Sequence, residues 1–460
     1  MTYHEAVAYL ESFVNYERTH QPQEMRAVRL SRMRRLCQRL GDPQRRFRSV
    51  LVAGTNGKGS ICAILYSMLR GSSLRVGLYT SPHLEHLRER IRVWTTGPSQ
   101  EEWAHGEDWI GEEDFAAAIE ILRPAIEEMR GESPDHAPTY FEILTAAAFL
   151  YFARREVEIA VLEVGLGGRL DATHVVDQAV SVIAPIGIDH ADVLGPDPVL
   201  IAKEKAGIIT SSHPVIAAPQ QEEVGEVLRG ICEAQGAPLF TCGKELTVGI
   251  QGHSLSGLQV SITGLRGIYE SLALPLIGRH QAQNAAVAVG ALEALSGAGI
   301  PFSLVERGLA QVEWPGRLEI VHEEPLVIMD GGHNAQAGAA VVETLTELCP
   351  GRTIHLLIGI SSDKSVEDVG RRLGPLAISA SCTKSRHPRA MDPVELARRM
   401  SPFCPDVHVM SDPADAYTYL LNAVSPQDVI LVAGSLFLVG ELRAALRRSH
   451  VRPKRTPVEA

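Results

Sequence analysis

The sequence has no paired-cysteine motif. Its seven cysteines, Cys37, Cys62, Cys232, Cys242, Cys349, Cys382 and Cys404, are scattered, and no two stand in a C-x-x-C pair. That spacing argues against a disulfide frame or a zinc site and reads as reduced thiols. Long apolar runs are missing too. The longest, such as 143–153, fall short of the ~20 residues that a spanning helix needs. The first residues carry Glu5, Glu11, Glu17 and Arg18 where a secretory leader needs an apolar core. There is no basic excess: Lys and Arg number 44 against 55 Asp and Glu, a formal net charge of −11. A general nucleic-acid or anionic-membrane binder is thereby disfavoured. Repeats and low-complexity tracts are absent. What remains is a soluble, cytoplasmic protein of ordinary globular composition, 45% hydrophobic and 22% charged, and at 460 residues long enough for two or three domains.

What the chain does have is a phosphate loop. The apolar run 50–53 enters Gly54-Thr55-Asn56-Gly57-Lys58-Gly59-Ser60, and an apolar helical stretch follows at once. Glycines free backbone N–H groups to wrap phosphates, a helix N-terminus adds a positive dipole end, and Lys58 adds a point charge. The Ser60 hydroxyl can reach a magnesium ion or a phosphate. The loop is shorter than the general P-loop, and Gly59 separates Lys58 from Ser60. The plain alternative is an ordinary glycine turn.

Two stretches alternate strand and helix. The first has strands near 49–53, 76–79, 159–164, 180–184 and 215–218, with helices near 112–129, 140–153 and 222–234. Residues 237–277 are rich in glycine, serine and short β-like runs and predict a small antiparallel patch, followed by a helix over 281–296. The second alternation has strands near 326–329, 354–358, 377–379, 407–410 and 429–432, with helices near 335–348, 365–373, 393–400 and 413–423. The fold class is α/β: a P-loop NTPase-like parallel-sheet domain with a small antiparallel patch over 1–300, then a second, smaller Rossmann-like α/β domain over 301–460. The break is placed near Pro301. Ligands of such sheets bind beyond the carboxyl ends of the strands. Nine arginines fall within 26–48, and Arg26, Arg29 and Arg32 recur at helical spacing. They read as a solvated helix face, or else as an anion-attracting rim. The acidic, polar stretch 94–109 reads as an inserted loop.

Acidic and basic residues stand at strand ends: Ser81-Pro82-His83, Glu142, Glu163, Asp171, Asp189-His190 and Lys205. Each alone has a plain explanation. Glu142 can stabilise its own helix dipole, His190 can be a buried histidine bonded to a carbonyl, and Lys205 can lie at the surface. Together they form a pattern. Gly54 to Ser60, Thr80-Ser81-Pro82-His83-Leu84 with Glu89-Arg90-Ile91, Tyr140-Phe141-Glu142, Leu162-Glu163-Val164-Gly165 through Asp171-Ala172-Thr173, and Lys203-Glu204-Lys205-Ala206-Gly207 resemble folylpolyglutamate synthase/dihydrofolate synthase of the Mur ligase superfamily. Gly278-Arg279-His280-Gln281, Trp314-Pro315-Gly316-Arg317, Asp330-Gly331-Gly332-His333-Asn334 and 433–442 extend the resemblance over nearly the whole chain.

The resemblance implies an ATP-dependent amide ligase that adds L-glutamate to a folate or dihydropteroate substrate through an acyl phosphate. It implies magnesium as cofactor, with a monovalent cation as a further candidate, and a monomer. Asn56, Gly57, Lys58, Gly59 and Ser60 would hold the ATP phosphates. Asn284, Arg317 and Asp330 would contact the nucleotide. Ser81, Glu142 and His190 would ligate the metal, although a histidine is an unusual magnesium ligand. Lys205 would carry a carbamate, and Lys58, Lys205 and His333 form the catalytic set. The family's Asp-Ala-Thr-Asn stands here as Asp171-Ala172-Thr173-His174, and its Asp-Gly-Ala-His-Asn-Pro as Asp330-Gly331-Gly332-His333-Asn334-Ala335. An acidic pterin contact expected near 27–29 reads Ala27-Val28-Arg29, which puts dihydropteroate use in question. The competing readings are a Mur-type peptidoglycan precursor ligase and a P-loop ATPase switch that ligates nothing.

Overall fold

The computed structural model describes residues 1–19, 30–95 and 106–448. Residues 26–29, and most of the 94–109 stretch, lie outside the described residues.

Seven strands form the first sheet: β1 (Arg48–Ala53), β2 (Val76–Tyr79), β3 (Ile91–Trp94), β4 (Ile159–Glu163), β5 (Gln178–Ile183), β6 (Val215–Ala217) and β7 (Leu239–Thr241). Their spatial order is β3-β2-β4-β1-β5-β6-β7. All pairs are parallel except β2 with β3. The central strands are apolar along their length because helices cover both faces. β4 is buried at every position, and β1 at all but its first. The antiparallel patch is β8 (Thr247–Ser254), β9 (Gly257–Thr263) and β10 (Ile268–Leu274). It is shorter than the sequence suggests, because 239–241 adds to the first sheet as a parallel edge strand.

The third sheet contains β11 (Glu319–Glu323), β12 (Leu326–Met329), β13 (Ile354–Ile358), β14 (Ser379–Cys382), β15 (Val407–Val409) and β16 (Val429–Ala433). Its order is β11-β12-β16-β13-β14-β15, parallel except at β11. Asp and Ser caps start its helices: Asp392 accepts from Val394 N–H, Asp412 from Ala414 N–H and Ser365 from Asp368 N–H. Two antiparallel edges, β3 and β11, were not anticipated from the pattern; each is only four or five residues long.

The expected division at 300/301 falls inside material that packs as one body. The helix Phe302–Ala310 lies on the phosphate-loop helix Lys58–Arg70. Ser67 Oγ donates to the Gly308 carbonyl at 2.7 Å. A Cβ at Gly308 would come within 2.4 Å of Met68 Cα, so only glycine permits this approach. The chain leaves the first body after Ala310, along Trp314-Pro315-Gly316-Arg317.

Where it is described, the nine-arginine stretch is a solvated face only in part: Arg34, Arg45 and Arg46 are exposed, while three others are paired. On the helix Leu30–Arg39, Arg32 pairs with Glu142, Arg35 with Glu132, and Arg39 with Glu128 and Glu132. These pairs fasten that helix to the helix Glu112–Glu132 and to the start of Tyr140–Arg154. Gly308→Val should lower unfolding stability by about 1–3 kcal/mol, because a branched side chain meets rigid backbone there. Urea unfolding with an unchanged midpoint would show that the two helices can separate freely.

Candidate active site

The phosphate loop runs from the end of β1 into the helix Lys58–Arg70. Gly57 caps that helix at φ +81°, a conformation that disfavours side chains. The loop is hemmed in. A Cβ would meet Ala184 at 2.6 Å from Gly54, Asn284 Oδ1 at 2.8 Å from Gly57, and the Trp314 ring at 2.6 Å from Gly59. Ser60 is buried in the first turn. Lys58 Nζ donates to the Thr55 carbonyl at 3.3 Å, folding back over the loop. Asn284 is buried, and its amide donates to Gln281.

Lys205 is not a surface residue. Its ammonium is buried beneath the loop and donates to the Gly54 carbonyl at 2.7 Å. Burial, reinforced by the Lys58 charge, brings it down to about 7. Near neutral pH about half of it is then the free amine, against roughly one in two thousand for an ordinary lysine. The helix carrying it, Pro198–Ala206, is held against the 165–171 turn, where Arg169 N–H donates to the Glu204 carbonyl. A Cβ at Gly168 would come within 2.7 Å of the Lys205 carbonyl oxygen.

The structure brings Ser81 to a different carboxylate from the one anticipated. Ser81 N–H donates to Glu163 Oε2 at 3.1 Å. Glu163, at the end of β4, shares a cleft pocket with Gly59, Ser81, Trp314 and Arg317. Burial raises its carboxyl, opposed by Lys58, the Ser81 N–H and Arg317. Glu142 is otherwise engaged. It closes a capping box with Thr139, and both its oxygens accept from Arg32 Nε, at 2.9 and 2.7 Å. Its carboxylate holds the helix Leu30–Arg39 in place. Glu163 was visible in the sequence as part of a strand-end motif, but nothing in spacing alone separates the two carboxylates.

His190 sits after β5 at φ +51°. Burial, with Lys364 and His333 adding to it, lowers its imidazole to about 3, so the ring is neutral. Lys364 Nζ stands 3.4 Å from its Nε2, while its Nδ1 is buried without a partner among the described residues. Asp189 is the meeting point of the two bodies. Lys364 Nζ donates to its Oδ1 at 2.6 Å, and His333 Nε2 lies 3.3 Å from its Oδ2. Burial disfavours its charge, yet His333, His190 and Lys364 together hold its carboxyl far below the usual range. A second seam joins Asn56 to the same face: Asn334 donates to Asn56 Oδ1 at 3.0 Å, and Asn56 donates to Gln336 Oε1 at 2.8 Å. Lys364 and Gln336 were not singled out from sequence, and Asp189 was noted only as a strand-end acid with no role given to it.

Arg317 lines the pocket beside Glu163, and a Cβ at Gly331 would meet its Nη1 at 2.5 Å. Asp330 is buried, and its oxygens accept from Leu318 N–H at 3.0 Å and Gly332 N–H at 2.7 Å. In this arrangement Asp330 ties the linker to the loop carrying His333. Among the described residues no three His, Cys, Asp or Glu side chains gather as a ready-made metal site. No helix among them is long and apolar enough to cross a membrane.

Known proteins resemble this chain over most of its length. Residues 114–292 match the Mur ligase middle domain, and 316–436 the Mur ligase glutamate ligase domain. The chain is 34% identical over 424 residues to a Bacillus subtilis dihydrofolate synthase/folylpolyglutamate synthase, covering 91% of this chain and 95% of the relative. Its fold is similar to that of a Mycobacterium tuberculosis folylpolyglutamate synthase complexed with ADP, with TM-score 0.86, 31% identity and 99% of both chains covered. It is also similar to a bifunctional folylpolyglutamate synthase/dihydrofolate synthase from Yersinia pestis complexed with AMPPNP and a manganese ion. There the TM-score is 0.81, the identity 27%, and the coverage 97% of this chain and 98% of that one.

Asp189→Asn should loosen the seam by removing the charge that holds Lys364 and His333. Small-angle scattering of the unliganded variant should give a larger radius of gyration than the parent. Superimposable profiles would show that this carboxylate does not hold the two bodies together.

Proposed function

Because this chain belongs to the dihydrofolate synthase/folylpolyglutamate synthase family of the Mur ligases, we propose that its cleft adds L-glutamate to a folate-type carboxylate with ATP as the driving substrate. The observation that carries this reading is one cleft in which Gly59 of the phosphate loop, the Ser81–Glu163 pair and Arg317 of the linker come together; His333 of the second body meets the first body at Asp189.

In the first step a substrate carboxylate oxygen attacks the γ-phosphorus of ATP, and the bond from that phosphorus to the bridging oxygen breaks. ADP leaves and an acyl phosphate remains. In the second step the glutamate amine attacks the acyl carbon, phosphate departs and the nitrogen loses a proton. Asn56 to Ser60 cradle the phosphates, and Lys58 swings from the Thr55 carbonyl to the transferring group. Arg317 adds positive charge from the linker side. His333 points Nε2 at Asp189, so a ring protonated there keeps a lone pair at Nδ1, able to take the proton released by the amine. Closure of the second body over the loop keeps water from the acyl phosphate.

A divalent cation fits this site, and magnesium is the ion proposed. The neutral His190 ring has a buried nitrogen lacking a partner among the described residues, and Ser81 and Glu163 offer oxygens where the Ser81 N–H meets the Glu163 carboxylate. Ser81, Glu163 and His190 would hold the ion, which would supply charge neutralisation at the β- and γ-phosphates. Glu163 takes the role first given to Glu142. Lys205, an amine half-neutral at pH 7 and buried beneath the loop, suits reaction with carbon dioxide to a carbamate. The carbamate oxygens would give the cleft a fixed anion under the phosphate loop. A switch ATPase has no use for such a group.

Lys58→Ala should lower glutamate-dependent phosphate release on the order of 10²–10³-fold while melting like the parent. Parent-like turnover would remove the phosphate-loop assignment. Tetrahydrofolate, dihydropteroate and a nucleotide-linked peptide, each offered with ATP and labelled glutamate, separate the activities. Product from tetrahydrofolate is expected; product only from the peptide overturns the folate reading. Labelled bicarbonate should give a carbamate carbon resonance that is absent in Lys205→Ala. Because the folded amine sits near 7 and not 10.5, that resonance should fade as pH falls through 7. A signal unchanged down to pH 5.5, or absent at pH 8, would contradict a carbamate at Lys205.

A further inference from the structure

Arg90 is a fully buried guanidinium whose partner arrives from the N-terminal segment. Its side chain is 1% exposed, while that of Glu17 is 27% exposed. Arg90 Nη1 donates to Glu17 Oε1 at 2.8 Å and Nη2 to Oε2 at 2.5 Å, a bidentate pair. Arg90 Nε donates to His83 Nδ1 at 2.9 Å. The His83 imidazole is pushed down to about 3 by burial and by Arg90 itself, so it serves as a neutral acceptor. Three of the five N–H groups of the guanidinium are thus used, on two partners, of which Glu17 is the removable one.

Glu17 stands on a short turn. Arg18 and Thr19 N–H groups donate to the Asn15 carbonyl at 3.0 and 2.9 Å, and Glu17 N–H donates to Asn15 Oδ1 at 3.0 Å. The segment before it is anchored independently, through the Tyr140 N–H bond to the Val14 carbonyl and through buried Phe13. Glu17 can leave without unseating that anchor. His83 belongs to the loop that lines the cleft pocket with Glu163 and Arg317. From the second body, Arg389, whose Nη1 donates to Asp363 at 3.0 Å, also acts on the Glu17 carboxylate, and its Nε is buried without a partner among the described residues. His387, stacked on Phe437 at 3.7 Å, also feels Glu17. A carboxylate held here faces positive charge from both bodies.

A guanidinium stays charged in a protein, and a buried charge without a counterion is strongly unfavourable. The Arg90 site therefore strongly favours a bound carboxylate. The Glu17 side chain is a propionate group, the same group that ends a γ-linked glutamyl residue. We infer that Glu17 is a resident stand-in for a substrate carboxylate at Arg90, displaced when a glutamyl or folyl carboxylate binds. This rests on the ligase reading and extends it: the N-terminal turn competes with substrate, and the strength of the Glu17–Arg90 pair sets the apparent affinity.

The test uses the full-length protein with Glu17→Ala and Glu17→Gln, and sodium propionate as the probe. Propionate should raise the melting temperature of Glu17→Ala, leave the parent unmoved, and inhibit the variant competitively against the carboxylate substrate. If the pair is closed about 90% of the time in the free parent, KM for that substrate falls about tenfold in both variants. A purely structural ion pair predicts the reverse sign: KM rises or is unchanged, and propionate neither stabilises nor inhibits. Either result overturns the inference. The melting measurement needs no turnover, so it judges the Arg90 site even if glutamate ligation itself is not observed.

Discussion

The phosphate loop has no room around it, and that steric constraint organises the rest of the molecule. Three of its glycines would each clash with a different part of the chain: Gly54 with the end of β5, Gly57 with Asn284 on the helix His280–Ser296, and Gly59 with Trp314 on the linker. Helix N-terminus, neighbouring strand, buried helix and linker thus converge on seven residues. The loop is a phosphate cradle because its backbone can face inward. It is also a junction, because every wall around it comes from a distant stretch of sequence. The second body reaches the same junction through Asn334 and Gln336 on Asn56.

Charge in the cleft is arranged so that no ion is stranded. Lys205 is buried but partly neutral, and Lys58 above it lowers its proton affinity further. Glu163 is raised by burial, with Lys58 and Arg317 drawing it back. Asp189 stays ionised because second-body donors reach it. Lys205 is set chiefly within the first body, but Glu163 also feels Arg317 of the linker and Asp189 feels His333 and Lys364 of the second body, so at those two carboxyls protonation and closure are coupled. An open molecule would expose Asp189 and separate it from Lys364 and His333. A closed one desolvates all of them together.

Much of the architecture was legible because strand and helix periods differ and because the phosphate loop has strict local chemistry. β1, β2, β12 and β13 and the helix Tyr140–Arg154 follow from apolar pattern alone. The short edges β3 and β11 did not, since four or five residues are too few to show a period and pair only when a neighbour offers a ladder. The domain break was read at Pro301 because Gly-Ile-Pro interrupts the pattern, but proline there begins a helix that packs home on Lys58–Arg70. Glu142 and Glu163 show the limit most clearly. Both are acidic residues beside apolar runs. The choice between them is made by Arg32, 110 residues from Glu142 in sequence, and by the Ser81 N–H, 82 residues from Glu163. The plain reading of Glu142 as a helix-start acid was the one the fold uses.

The division of the site between two bodies also explains why its cations are so differently held. Lys58 rests on a loop carbonyl, Lys364 on Asp189, Arg317 near the Gly316 carbonyl, and Arg90 on Glu17. None of these partners is a ligand. Each is a protein oxygen that keeps a cation in place at modest cost until an anion with better geometry arrives. A carbonyl oxygen gives up a lysine readily, whereas a bidentate carboxylate does not. The order of partner strength therefore sets an order of release: Lys58 first, the two carboxylate-held cations later. A nucleotide phosphate can recruit Lys58 without disturbing the seam at Asp189. Displacing Glu17 from Arg90 takes a carboxylate of matching reach, which is a demand on the acceptor substrate and not on the nucleotide.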